Sequence, residues 1–191
     1  YVHSYLPLLA IQVDAAINSG NSGGPALSED DKIIGVAMQT NVYAENISYL
    51  IPTPVIRHFL FDIEDGKFDG IPSLGVYSQN TENQDLRGNI GMSPDMTGTL
   101  VNKVVSGSSA DGLIEVGDVI ISIDGFEIAD DGTISFRDQE RTNYTYVVET
   151  KQIGQSVELD ILRDNLVQKV SIQLKKRIGT DKLVKIERDK E

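Results

Sequence analysis

Ser19-Gly20-Asn21-Ser22-Gly23-Gly24-Pro25 is the stretch that most narrows what this chain can fold into. Residues of this kind, packed this closely, cannot run through a helix interior or a ladder strand. Proline lacks the donor, and glycine gives up too much conformational freedom. The apolar run 5–13 enters this loop through Asp14-Ala15-Ala16-Ile17-Asn18. On leaving it, Ala26-Leu27-Ser28 meets Lys32-Ile33-Ile34-Gly35-Val36-Ala37-Met38 across Glu29-Asp30-Asp31, which reads as a hairpin with a charged tip. A short strand over 47–51 then precedes Pro52-Thr53-Pro54, where Thr53 is the expected N-cap and Pro54 the first helical residue. Val55, Ile56, Phe59, Leu60 and Ile63 fall on one helical face, and Gly66 can close the helix. Strands closed by a helix read as the end of a β-rich domain over residues 1–66.

The pattern restarts after Gly66 and Gly70. Strands are expected at 74–78, 98–105, 119–123, 157–162 and 167–174, the last two joined by a turn at Arg163-Asp164-Asn165. Residues 141–152 look helical, with Tyr144, Val147 and Val148 on one side. This makes a small mixed α+β domain over 67–178, of a size typical for one core. Residues 179–191 are rich in charge and read as a solvated tail or linker.

A formal charge of −12, divided evenly about residue 66, argues against nucleic-acid or anionic-membrane binding, since both need a basic face. No apolar run is long enough to span a bilayer. With two histidines and no cysteine, thiolate catalysis is impossible and a zinc site has little to draw on, so no cofactor or metal is expected. The chain opens on Tyr1 rather than Met, so a longer parent is expected, with any targeting signal upstream. Asn46-Ile47-Ser48 and Asn143-Tyr144-Thr145 are glycosylation sequons by pattern alone.

A serine hydroxyl is a poor nucleophile until a base takes its proton and donors hold the oxyanion. Glycines at 20, 23 and 24 let the backbone approach a carbonyl closely, and this can turn the amides of Gly20 and Ser22 toward one cavity beside the Ser22 hydroxyl. Residues 14–25, from Asp14-Ala15-Ala16-Ile17-Asn18 to Gly23-Gly24-Pro25, resemble the nucleophile loop of the HtrA/Deg serine proteases, within the chymotrypsin-like fold. Ile33-Ile34-Gly35-Val36-Ala37 and Leu50-Ile51-Pro52 resemble that family's late barrel strands and the entry to its terminal helix. The resemblance implies that Ser22 is the nucleophile and that Gly20 and Ser22 form the oxyanion hole. It also implies that Ala16, Ile17 and Met38 line a pocket for a small aliphatic residue. The family's catalytic His and Asp lie well upstream, whereas this chain starts 21 residues before Ser22. His3 and His58 match neither position, and Asp14 reads as structural. The chain alone is therefore expected to be inactive, since loss of one triad member costs about 10⁴-fold or more.

Residues 104–113 and Val116-Gly117-Asp118-Val119-Ile120-Ile121-Ser122-Ile123-Asp124-Gly125 resemble the signature of PDZ domains, especially those that follow HtrA/Deg proteases. Such domains take an extended peptide as an added strand and hold its terminal carboxylate on backbone amides. Ser73-Leu74-Gly75-Val76 looks like the carboxylate loop, and the resemblance assigns Leu74, Val76, Val147 and Thr150 to the pocket for the last ligand side chain. The alternative is that Leu74 and Val76 are plain core residues of a first strand. The Asp131-Gly132-Thr133 and Phe136-Arg137 stretch resembles the plant-type Deg subgroup, with Tyr144 and Tyr146 placed to fill or cap part of the groove. Relatives there often carry a second PDZ-like domain, into which residues 182–191 could lead.

The expected fold is thus mainly β with a few helices: part of a chymotrypsin-like barrel with its terminal helix, then a PDZ-like α+β domain. The expected function is a serine endopeptidase acting on misfolded polypeptides, binding C-terminal peptides and assembling as a trimer-based homo-oligomer. Two alternatives stay open: a non-catalytic PDZ binding protein with a vestigial Ser22, or a structural module whose blocked groove is an oligomer contact. The resemblance is compatible with a periplasmic, envelope or organellar parent and does not choose among them.

Overall fold

The computed structural model describes residues 9–15, 17–18, 20–40 and 47–178. His3, Ala16, the Asn46 sequon position and the charged end 179–191 lie outside the described residues. The chain divides into two compact units, Tyr1–Phe68 and Asp69–Glu191.

In the first unit β1 (Ile11–Val13), β2 (Pro25–Leu27), β3 (Ile33–Thr40) and β4 (Ser48–Pro52) form an antiparallel sheet in the order β1-β4-β3-β2. The β2–β3 hairpin turns through Asp31 at a φ of 58°, with the Ser28 amide donating to the Lys32 carbonyl. Between Ala37 and Gln39 the β3–β4 register slips, which makes Met38 the extra residue of a bulge. Helix α1 (Thr53–Asp62) follows. Its N-cap is Pro52 rather than Thr53, and no side chain caps it. With prolines at 52 and 54 the fixed φ angles start the helix one residue earlier, where a missing N–H costs nothing. Gly66, at a φ of 82°, donates its amide to the Ile63 carbonyl just beyond the helix.

The second unit is built on a six-stranded antiparallel sheet. Its strands are β6 (Val76–Asn80), β7 (Thr99–Val104), β8 (Val119–Ile123), β9 (Phe126–Glu127), β12 (Ser156–Arg163) and β13 (Leu166–Gln173). Their order is β13-β12-β8-β7-β6, with β9 on β8, so β6 is an edge. The β12–β13 turn runs through Asp164 and Asn165, both at positive φ, as a tight hairpin requires. Short β5 (Pro72–Ser73) pairs with β14 (Lys175–Lys176).

Helix α3 (Thr145–Glu149) covers one face of the sheet, over a core that includes Val101, Ile120, Val157, Leu159 and Ile172. Met92, Val119 and Leu162 form a second cluster. The expected helix over 141–152 is shorter than its pattern suggested. Residues Glu140–Asn143 form β11 instead, paired with β10 (Thr133–Arg137). Helix α2 (Gln84–Asn89) had no counterpart in the sequence reading. Among the described residues no helix is long and apolar enough to cross a membrane.

The Gly117-Asp118 turn owes its shape to an ion pair. Asp118 is 2% exposed and receives both Nε and Nη2 of Arg163, at 2.7 and 2.6 Å, and the Glu115 amide at 2.8 Å. A buried carboxylate so fully paired holds the start of β8 against β12.

Candidate functional site

The loop before β2 is fixed by its own backbone. Gly20 and Gly23 have φ angles of 105° and 88°, which glycine adopts without steric cost. The Gly23 amide donates to the Ala37 carbonyl at 2.8 Å and the Ala37 amide to the Gly24 carbonyl at 2.9 Å, which seats the loop on β3. The Asn21 amide binds the Asn18 carbonyl, and the Gly24 amide binds the Asn21 carbonyl. In a trans peptide the C=O and the following N–H point opposite ways. With the Asn21 carbonyl turned toward Gly24, the Ser22 amide points out of the loop. Among the described residues, the amides of Gly20 and Ser22 donate to no backbone carbonyl, while those of residues 21, 23 and 24 are all occupied.

The Ser22 hydroxyl donates to the carbonyl of Met38 at 3.0 Å, so the β3 bulge supplies its acceptor. Ile17 is half-buried, Ser22 and Asp14 are exposed, and Met38 is partly buried. His58 lies on α1. Among the described residues no histidine bonds to Ser22.

A second constellation surrounds Ser73-Leu74-Gly75-Val76. Three successive carbonyls are tied back into the unit. That of Ser73 accepts from Ser109 Oγ at 2.6 Å, that of Leu74 from the Ala110 amide at 3.0 Å, and that of Gly75 from the Val105 amide at 2.8 Å. By the same trans-peptide geometry, the amides of Leu74, Gly75 and Val76 turn away from this anchor. Gly75 reaches the conformation with a φ of 76°. Its amide meets Ser73 Oγ at 3.2 Å. Ser109 Oγ also accepts from the Lys175 amide at 2.8 Å, linking the loop to β14.

Leu74 and Val147 are buried in the main core, and Val76 packs against it. Thr150 is exposed, with its hydroxyl turned back to the Val147 carbonyl at 3.0 Å. Tyr144 is 3% exposed, and its phenol lies 3.2 Å from Ser78 Oγ on β6. Burial pushes the Tyr144 phenol pKa up, opposed by that hydrogen bond. The stretch from Asp131 to Asn143 forms the β10–β11 hairpin, and its Phe136 ring meets Tyr146 edge-on at 4.9 Å. Ser78, Ser109 and the hairpin escaped the sequence reading. Alternation of Ile134 and Phe136 around the Asp138-Gln139 turn was the available signal for the hairpin.

The PDZ domain family matches residues 72–174. Protease Do-like 4, mitochondrial, of Arabidopsis thaliana is 43% identical over 176 residues, covering 92% of this chain and 34% of that protein. Protease Do-like 2, chloroplastic, of the same organism is 42% identical over 181 residues, covering 93% of this chain and 30% of that protein. The chain thus spans about a third of the length of the curated relatives it matches. Among solved structures, the HtrA-type protease AlgW with decapeptide superposes with a TM-score of 0.60 at 28% identity, covering 88% of this chain and 49% of that one.

Proposed function

The chain belongs to the HtrA/Deg family of serine proteases and carries a PDZ domain, and from that premise we propose that it supplies the nucleophile loop and the peptide-capturing module of a serine endopeptidase. Ser22 Oγ attacks the scissile carbonyl, forming the new C–O bond as its proton passes to a histidine. The amides of Gly20 and Ser22 hold the oxyanion. Collapse of the tetrahedral adduct expels the amine, which takes that proton, and water then hydrolyses the acyl-serine. Ala16, Ile17 and Met38 form the pocket for a small aliphatic residue before the cut. The observation that supports this reading is the loop's hydrogen bonding: among the described residues the amides of Gly20 and Ser22 donate to no backbone carbonyl, and Ser22 is exposed on the same loop.

The base comes from outside the described residues, since the Ser22 hydroxyl is turned to the Met38 carbonyl and meets no histidine among them. The chain's PDZ unit captures free C-termini of misfolded polypeptides on β6, with the carboxylate on the amides of Leu74, Gly75 and Val76 and the last side chain beside Leu74, Val76, Val147 and Thr150. The solved AlgW structures with a decapeptide and a tripeptide support a peptide as ligand. A trimer-based homo-oligomer is the assembly the family membership favours. Casein is the test substrate. The full-length protein should cleave it, and Ser22→Ala should not.

One observation favours a second reading. Leu74 and Val147 are already buried, and the Tyr144–Ser78 contact joins α3 to β6, as in a groove closed to ligands and used as an oligomer contact. C-terminal peptide titration and light scattering on the full-length protein separate the two.

A further inference from the structure

Resting on the reading of Leu74, Gly75 and Val76 as a carboxylate cradle, we propose that Ser109 is its positioning residue and makes capture of a C-terminus depend on β14. Each cradle amide belongs to a planar peptide whose carbonyl lies one residue earlier, so whatever holds that carbonyl sets where the amide points. The carbonyls of Leu74 and Gly75, which orient the amides of Gly75 and Val76, are held by backbone amides, those of Ala110 and Val105. The Ser73 carbonyl, which orients the Leu74 amide, is held by a side chain: Ser109 Oγ donates to it at 2.6 Å. That same hydroxyl accepts from the Lys175 amide at 2.8 Å.

Ser73 and Lys175 face each other across the β5–β14 ladder. The hydroxyl therefore stands between the two strands as an N–H···O–H···O=C relay, and each bond of such a chain strengthens the other. Ser109 is buried, so solvent does not replace the relay when it breaks. Lys175 grips the same turn a second time, through Nζ at 3.3 Å from the Ser108 carbonyl. Ser108 in turn backs onto Gly75, where it leaves no room for a Cβ. The cradle, the turn at 107–110 and β14 are thus connected, and order in one favours order in the others. By linkage, a carboxylate bound at the Leu74 amide stabilises the Lys175 bond by as much as that bond stabilises the carboxylate.

The test is fluorescence anisotropy on the whole chain, with a labelled peptide ending in a free valine and its C-terminal amide. The wild type is expected to bind the free acid about tenfold or more tighter than the amide. Ser109→Ala removes the relay and leaves every backbone donor in place. It should weaken the free acid about fivefold or more and leave the amide unchanged, which narrows the ratio between them. General loosening of the fold would weaken both peptides alike and keep the ratio. Ser109→Thr, which retains the hydroxyl, should restore it, with melting curves checking that both variants fold. Hydrogen exchange on the wild type gives a reading that needs no variant. Saturating free-acid peptide should slow the Lys175 amide about fivefold or more beyond any slowing at the neighbouring Leu174 amide, which is bonded to the Gln155 carbonyl instead. A folded Ser109→Ala protein with the full ratio, or a Lys175 amide that responds no more than that of Leu174, would overturn this inference alone. A wild type that binds neither peptide, or both equally, would overturn the cradle reading and the inference with it.

Discussion

Gly75 illustrates how much a single residue carries here. At a φ of 76°, any L-residue is strained, and a Cβ would run into Ser108 Cβ and Oγ. Gly75→Ala should therefore destabilise the second unit by more than the roughly 1–2 kcal/mol of the left-handed φ alone, and should abolish C-terminal peptide binding. Urea unfolding and anisotropy check the two parts. Ser22 and Gly75 were both legible in the sequence, because glycine spacing announces unusual backbone. Ser109 was not. Its role comes from a carbonyl 36 positions away, and no local pattern encodes such a contact. Glu149 makes a pH-dependent case. Burial pushes its carboxyl pKa up, while the Thr145 hydrogen bond and the Arg177 charge pull it down. With the folded value raised, the native state holds its proton longer, so this group's contribution falls as pH rises from the unfolded value through the folded one. Glu149→Gln should accordingly stabilise the protein at about pH 7 and do little at about pH 4, as read from unfolding midpoints.

At the scale of elements, apolar runs bounded by turn residues are legible nearly to the residue: 119–123 coincides with β8, and 157–162 lies within β12. What escaped were short pieces stabilised from a distance. Helix α2 has only six residues and contains Gly88, so its own propensity is slight. It forms because Asn83 caps it through the amides of Asp85 and Leu86, and because Arg87 inside it is 5% exposed. The Arg87 guanidinium binds Asp130 Oδ2 at 2.6 Å and the carbonyls of Ser93, Pro94 and Met96. Asp130 also accepts from Thr81 Oγ1 at 3.0 Å. Arg87→Met would strand that carboxylate and three carbonyls and should cost about 3 kcal/mol, seen as a lowered unfolding midpoint. The sequence reading of 141–152 erred for a related reason. Val147 and Val148 carry the helical period, but residues 140–143 are captured by β10, with Arg141 Nε on Thr133 Oγ1 at 2.7 Å. Tertiary pairing overrides a weak local preference.

At the scale of the whole molecule, the chain joins a strand-rich unit bearing an exposed serine loop to a PDZ domain. The family was legible because both of its signatures are contiguous in sequence. The catalytic assembly was not, since a triad is set by spatial rather than sequential neighbours. Its central claim is that Ser22 is the nucleophile. Treatment of the full-length protein with a serine-directed fluorophosphonate, followed by peptide mass mapping, tests it most directly. The account predicts a single adduct on Ser22 that disappears in Ser22→Ala. A full-length protein that cleaves casein while Ser22 stays unmodified, or that labels equally after Ser22→Ala, would contradict it.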